Sequence, residues 1–343
     1  MKKLYLYVWF LSVGLSLAGC KGNGMQGDGL MSSSGRSSEV LVVCPDADWK
    51  GAFGDSLRSV LEAPVVGLPQ NEPMFRLSHV SPSDFTPVYQ KQRNILICQV
   101  QTDAASPRLK VEKNRWAKPQ LVQTLTASCT DTLTAAFLAG SESIAGYIMR
   151  GEMQRFQRAQ RAQQEPYMHT QFQKKYGYSM VFPDGFIFAV KQKDFCWLRK
   201  ETKYWGQSIM VYSEPYVDEQ QFSPEYITAL RNKYTKTYVQ GSSDSSYVLV
   251  DERFYPVMYR NYDFPKSPYA VEARGLWGLF GNTGERMGGP FVSYTFLDTA
   301  AQRVVTADGF LYAPSDAKRD LMRQVEAMLL TLQRADTAAV PKK

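Results

Sequence analysis

Apolar positions along this chain follow two periods, and the elements can be read from where one gives way to the other. Glu39 to Cys44 (EVLVVC) is an apolar run that predicts a strand. Asp46 is placed to cap the helix that follows, where Trp49, Phe53, Leu57, Val60 and Leu61 recur on one helical face until Pro64 and Pro69. Short strand patterns come next at Met74–Val80, Asn94–Gln101, Leu109–Lys113 and Gln120–Ala127. A long helical pattern then runs from Asp131. It is expected to break at Gly140 or Ser141, resume to about Lys175, and break again near Pro166.

From Tyr178 the short period dominates. Strands are predicted at Tyr178–Phe182, Phe186–Lys191, Phe195–Glu201 and Gln207–Ser213, with Pro183-Asp184-Gly185 as a turn. Ser223-Pro224-Glu225 opens a helix, with serine as the cap and proline at its first position. Five more strand patterns follow at Tyr247–Glu252, Tyr255–Arg260, Tyr269–Trp277, Phe291–Leu297 and Val304–Tyr312. A last helix is expected over Ser315–Leu332 with Ser315 as its N-cap. The fold class is therefore α+β, in two modules of mainly antiparallel sheet packed with helices, over residues 39–176 and 177–333 with a tail at 334–343.

The chain begins differently. Lys2 and Lys3 precede an uncharged apolar run, Leu4–Leu17, too short for the ~20 residues that span a bilayer. Residues 1–19 read as a secretory signal peptide. The run closes on Leu17-Ala18-Gly19-Cys20, which resembles the bacterial lipobox. That resemblance implies cleavage before Cys20, acylation of its sulfur and of the new amine, and hence anchoring in a membrane. The next 18 residues, Lys21–Ser38, hold five glycines and five serines and predict a flexible tether over residues 20–38, roughly 24 Å in mean span. Gly22, Gly24 and Gly27 match a dinucleotide fingerprint, but no strand precedes them and no helix follows.

Composition narrows the function classes. Hydrophobic content of 44% and aromatic content of 13% mark a folded chain. The net charge is +7, and loss of Lys2 and Lys3 leaves +5. An exported basic protein rarely meets nucleic acid, so none is expected as a partner; the excess suits anionic lipid, another envelope polymer or an envelope protein. Cys44, Cys98, Cys129 and Cys196 allow three pairings, and a free thiol also suits a core, so their state stays open.

Candidate chemistry is sparse. Ser315-Asp316-Ala317-Lys318 matches SxxK, but the partner motifs of penicillin-recognising enzymes are absent. His79 and His169 lie far apart with no ligand-spaced companions, so neither a metal site nor a histidine-based triad is supported. No catalytic residue, cofactor or metal is predicted. On the long helix Arg150, Arg158 and Arg161 fall within about 80° of one another and form a candidate contact for an anionic surface. Gly278–Pro290 reads as a thirteen-residue loop with five glycines; with Arg274, Trp277, Phe280 and Arg286 it forms a candidate partner or ligand contact.

The lipobox, EVLVVCPDADWKGAFGDSLRSVLEAPVVGLPQNEPMF, RNILIC, WAKPQLV and the distal RGLW, MGGPFVSYTFLD and RVVTADGFLYAP together resemble the bacterial lipoprotein family known as domain of unknown function 4837, over nearly the whole exported body. The resemblance implies a Bacteroidetes-type envelope and brings no activity. Lys21-Gly22-Asn23-Gly24 lacks the acidic residues that follow the anchor in surface-displayed lipoproteins of such envelopes, so the periplasmic face of the outer membrane is expected. The second module's element order is loosely similar to the PsbP and Mog1 folds. A non-enzymatic binding or structural lipoprotein is the leading expectation; an envelope hydrolase with an unrecognised site is the alternative.

Overall fold

The computed structural model describes residues 29–241, 245–264, 267–281 and 287–335. Cys20 and Arg286 lie outside them, so the anchor and one candidate contact are not part of the structural account.

The first module runs β1 (Met31–Ser32), β2 (Glu39–Val43), α1 (Asp46–Lys50), α2 (Ala52–Leu61), β3 (Arg76–Val80), β4 (Asn94–Val100), β5 (Arg108–Lys113), β6 (Ala117–Lys118), β7 (Leu121–Ala127) and α3 (Thr130–Ala162). The second runs α4 (Pro166–Tyr176), β8 (Tyr178–Ser179), β9 (Ile187–Lys191), β10 (Phe195–Glu201), β11 (Gly206–Pro215), α5 (Pro224–Tyr238), β12 (Ser246–Val250), β13 (Met258–Asn261), β14 (Ala270–Gly281), β15 (Gly288–Asp298), β16 (Arg303–Tyr312), α6 (Arg319–Leu329) and β17 (Gln333–Arg334). The α+β class holds, and antiparallel pairing dominates overall.

The first sheet has the order β3-β2-β4-β7-β5; its first four strands are parallel and β5 is antiparallel. This departs from the expected antiparallel module. Helices between β2 and β3 provide the crossover that parallel neighbours need. Val40, Val42, Leu96 and Cys98 pack beneath α2 and α3, while Leu41, Val43, Ile95 and Val122 fill a smaller core on the other face. Strands buried on both faces read as unbroken apolar runs.

The second sheet is antiparallel, in the order β12-β14-β15-β16-β11-β10-β9, with β13 beside β14. Ile227, Leu230 and Tyr234 of α5 pack on one face with Trp277 and Phe310. Val325, Met328 and Leu329 of α6 cover the other with Val292 and Val305. The same core takes Met168 and Phe172 of α4, a helix the sequence pattern had grouped with the first module.

Several expected boundaries move. The long helix crosses Gly140 unbroken, although an interior glycine costs about 1 kcal/mol relative to alanine. Leu133, Phe137, Ile144 and Ile148 are buried on both sides of it, and this packing holds the helix through. Pro45, not Asp46, occupies the N-cap of α1. Residues 29–38 do not form a free tether. Met31 and Ser32 pair with Ala117 and Lys118, and the Ser34 amide donates to the Lys91 carbonyl at 2.8 Å. Composition had signalled only the lack of apolar side chains; backbone bonding and one buried serine suffice to fix the segment.

That serine belongs to the seam between the modules. Ser38 is fully buried, donates to Asp320 Oδ1 at 2.8 Å and accepts from Arg323. Glu72, on the loop before β3, accepts from the backbone amides of Lys318 at 2.6 Å and Arg319 at 3.0 Å. A first-module carboxylate thus caps α6, where an anion meets free N–H groups and the positive end of the helix dipole. The expected cap is corrected: Ser315 is exposed, and α6 starts only at Arg319. Gln157 and Gln160 of α3 complete the seam, donating to the carbonyls of Ala327 at 3.2 Å and Gln324 at 2.8 Å.

Candidate functional site

Beside this seam lies a cleft of about 880 Å³. One wall is the end of α2 at Val60 with Val65, Val66 and Met74 of the connection to β3; another is the α3 stripe of Glu142, Ala145, Gly146, Met149 and Arg150. Spacings of three and four put those α3 residues on one face. The opposite wall is Met258 and Arg260 of β13 with Glu272 and Arg274 of β14, and α6 adds Arg319, Met322, Arg323 and Glu326 at the same helical spacing. Glu272 and Arg274 are two apart on a strand and therefore share a face.

Glu272 is the electrostatic centre of the floor. Arg260 donates to both of its oxygens at 2.7 and 2.9 Å, and Arg274 at 2.8 and 3.0 Å. Burial alone would raise its pKa; the two guanidinium groups outweigh burial and hold it at about 2. Arg274 also pairs with Glu326, which accepts from the Tyr294 hydroxyl at 2.6 Å. Burial opposes the charge on Arg274, but Glu326, Tyr294 and Glu272 keep its pKa above the ordinary arginine value. The floor is thus a closed network of neutralised charges.

Two further guanidinium groups are not neutralised in this way. Arg323 donates to Ser38 Oγ and to the Met74 carbonyl and lies 5.3 Å from the Phe75 ring centre, but makes no ion pair among the described residues. Burial, reinforced by Arg319, pushes its pKa down to about 10. Arg150 is exposed, rests 4.8 Å from the Tyr147 ring centre, and makes no ion pair among the described residues. Arg319, by contrast, is bound to Asp320 and to the Pro73 carbonyl.

The structure regroups the residues singled out from sequence. Arg150 and Arg274 come from different candidate sites and meet in this one cleft. Arg158 and Arg161 are exposed farther along α3, about 12 and 16 Å beyond Arg150 at 1.5 Å per residue. Arg274 and Trp277 do not share a surface. Trp277 is three residues on, faces the opposite side of the sheet, and donates to the Leu311 carbonyl at 3.1 Å within the α5 core. Phe280 lies near Arg253, with the guanidinium 5.3 Å from its ring centre. The thirteen-residue loop is corrected as well, because β14 extends to Gly281 and β15 starts at Gly288. Its glycines serve close packing: a Cβ at Gly289 would lie 2.0 Å from the Leu311 carbonyl oxygen.

Other candidates resolve into structural roles. His79 bonds the Cys44 carbonyl at 2.8 Å and stacks on Trp49; His169 bonds the Met180 carbonyl at 3.0 Å. The four described cysteines are free thiols. Burial pushes Cys44 and Cys196 up to about 12, away from thiolate chemistry. No group of three or more metal-ligating side chains is found among the described residues. No described helix is long and apolar enough to cross a membrane.

Sequence reasoning missed Arg260, Glu272, Arg319, Arg323 and Glu326. A signal was present: Glu272 and Arg274 interrupt a strand of apolar and small residues on its inward face. On α6, Arg319, Arg323 and Glu326 share a face with Met322, beside the apolar stripe of Val325, Met328 and Leu329 that packs into the core.

Two family models match consecutive stretches of the chain. Residues 165–331 match the model of Domain of unknown function (DUF4837). Residues 33–161 match that of Domain of unknown function (DUF8532). The resemblance to the first family therefore covers the second module alone, and EVLVVCPDADWK, RNILIC and WAKPQLV fall in the other. The two spans meet where α3 ends and α4 begins. No curated protein matches the chain. Among solved structures it resembles the Saccharomyces cerevisiae Ran-binding protein Mog1p, with 12% identity over 47% of this chain and 92% of that one at a TM-score of 0.28. It also resembles a point mutant of protein Mog1, with 11% identity over 47% and 93% at 0.29. These scores are too low to carry fold or function across.

Proposed function

We propose that this chain is a lipid-anchored envelope lipoprotein, without enzymatic activity, whose cleft between the two modules is its binding site. The observation that carries the reading is the cleft itself. Its volume falls within the range of about 300–1,000 Å³ usual for ligand sites. Both modules contribute to it, and it combines apolar walls with a few convergent charged groups.

The anchor part of the reading rests on Leu17-Ala18-Gly19-Cys20 after the short apolar run. Acylated Cys20 would hold the body at the outer membrane of a Bacteroidetes-type envelope, facing the periplasm. Arg158 and Arg161 would favour anionic headgroups or an anionic envelope polymer by charge alone. The floor network suits binding better than acid–base work, because Glu272 stays ionised through the neutral range and both its oxygens are occupied.

The test is native mass spectrometry of the chain extracted from its own membrane, compared with Met258→Trp. Met258 is half exposed on the cleft wall, so the larger ring fills the cavity without disturbing a core. The expected result is a retained small species that the variant loses. A species retained equally by both chains, or none in either, would overturn the reading.

A further inference from the structure

The walls and charges of the cleft specify more than a generic ligand. Met74, Met149, Met258 and Met322 all line it, and methionine adapts to irregular apolar shapes. Val66, Tyr147 and Met258 are also among its lining residues and are 46%, 39% and 50% exposed, so apolar surface faces solvent on three separate elements. The carboxylates of the floor are already bound to guanidinium groups. Arg150 and Arg323, on two different helices, bring positive charge with no ion-pair partner among the described residues. Carboxylates stand near Arg323 but none pairs with it directly, and Asp320 reaches it only through Ser38 Oγ; a buried cation without a contacting anion is costly. A bound anion would offset that cost at Arg323 and pair with Arg150, while the methionine walls exclude water from an apolar body.

We infer that the cleft takes an amphiphile with one anionic head on an acyl tail, the head meeting Arg150 and Arg323 and the tail lying along Val66, Met149 and Met258. The inference rests on the cleft being the binding site. The head chemistry is a carboxylate or a phosphate monoester, as a free fatty acid or a lysophosphatidate would supply.

Isothermal titration of the exported Cys20→Ser chain tests this with four probes: laurate, lauroyl lysophosphatidate, monolauroylglycerol and inorganic phosphate. Laurate or lauroyl lysophosphatidate is expected to bind at one site per chain, and comparison of the two distinguishes the sources. Monolauroylglycerol, with the same tail and no charge, should bind at least about tenfold more weakly, the effect of losing a hydrogen bond to a charged group. Phosphate alone should give no measurable heat. Arg150→Gln, at an exposed side chain whose loss spares the fold, should remove most of the preference for the charged head. Equal affinity for charged and neutral probes, or a preference unchanged in Arg150→Gln, would overturn the inference. If no probe binds while Met258→Trp still strips a retained species from the membrane-extracted chain, this ligand chemistry is wrong and the cleft reading stands. If neither occurs, both fall.

Discussion

Removing the carboxylate of Glu72 should weaken the joint between the modules more than any change at the serine that the local sequence nominates as cap. Glu72 accepts from two amides of the first turn of α6, at 2.6 and 3.0 Å. Loss of a side-chain cap costs about 1 kcal/mol. Loss of a negative charge at a partly buried helix N-terminus adds up to about 1 kcal/mol more. Glu72→Ala is therefore expected to cost about 2 kcal/mol, and Glu72→Gln, which keeps an acceptor without the charge, about 1 kcal/mol. In urea, with a slope of ~3 kcal/mol per molar, the alanine variant should lower the midpoint by about 0.7 M. Native-state hydrogen exchange gives the local readout, since the Lys318 and Arg319 amides should lose protection selectively in Glu72→Ala. Ser315→Ala should stay within about 0.5 kcal/mol of the parent, because the residue is exposed and outside the helix. A midpoint for Glu72→Ala equal to the parent's, or a Ser315→Ala cost as large as that of Glu72→Ala, would refute the cross-module cap.

Three further outcomes follow from the same geometry. The pKa of Glu272 is depressed to about 2, so its ionised form contributes stability that is complete above the usual glutamate value and is lost as pH falls from about 4.5 towards 2; urea melts across that window should show the loss, and Glu272→Gln should flatten it. Cys129 is exposed while Cys44, Cys98 and Cys196 are buried, so iodoacetamide on the native chain should label one body cysteine, with four labelled after unfolding; native labelling of Cys44 would contradict the packing of β2. Cys20→Ser should move the protein out of the membrane fraction, and incorporation of labelled palmitate into that variant would contradict the anchor.

The elements whose determinants are local were readable from sequence. Ser223 accepts from the Tyr226 amide ahead of Pro224, and β10 spans Phe195–Glu201 as the pattern predicts. The parallel sheet was legible in principle, because VLVV and ILIC are apolar on both faces, but pairing direction depends on the intervening helices. What sequence missed depends on distant partners. The cap of α6 comes from Glu72, some 246 residues earlier. Ser38 is fixed by Asp320 and Arg323 across the seam, so a stretch that looks like linker is partly built into the body. Glycines at 281 and 289 suggested a loose loop; they allow a positive φ at Gly281 and a close strand approach at Gly289. The cleft was invisible for the same reason, since its walls come from separate segments that only tertiary folding brings together.

The most direct test of the cleft as binding site is a methyl-resonance titration of the methionine-labelled chain with lauroyl lysophosphatidate. Met74, Met149, Met258 and Met322 line the cleft, whereas Met168, Met180, Met210 and Met328 are buried elsewhere. The account predicts saturable shifts at the first four, with the second four unmoved. Saturable shifts confined to methionines outside the cleft would contradict it.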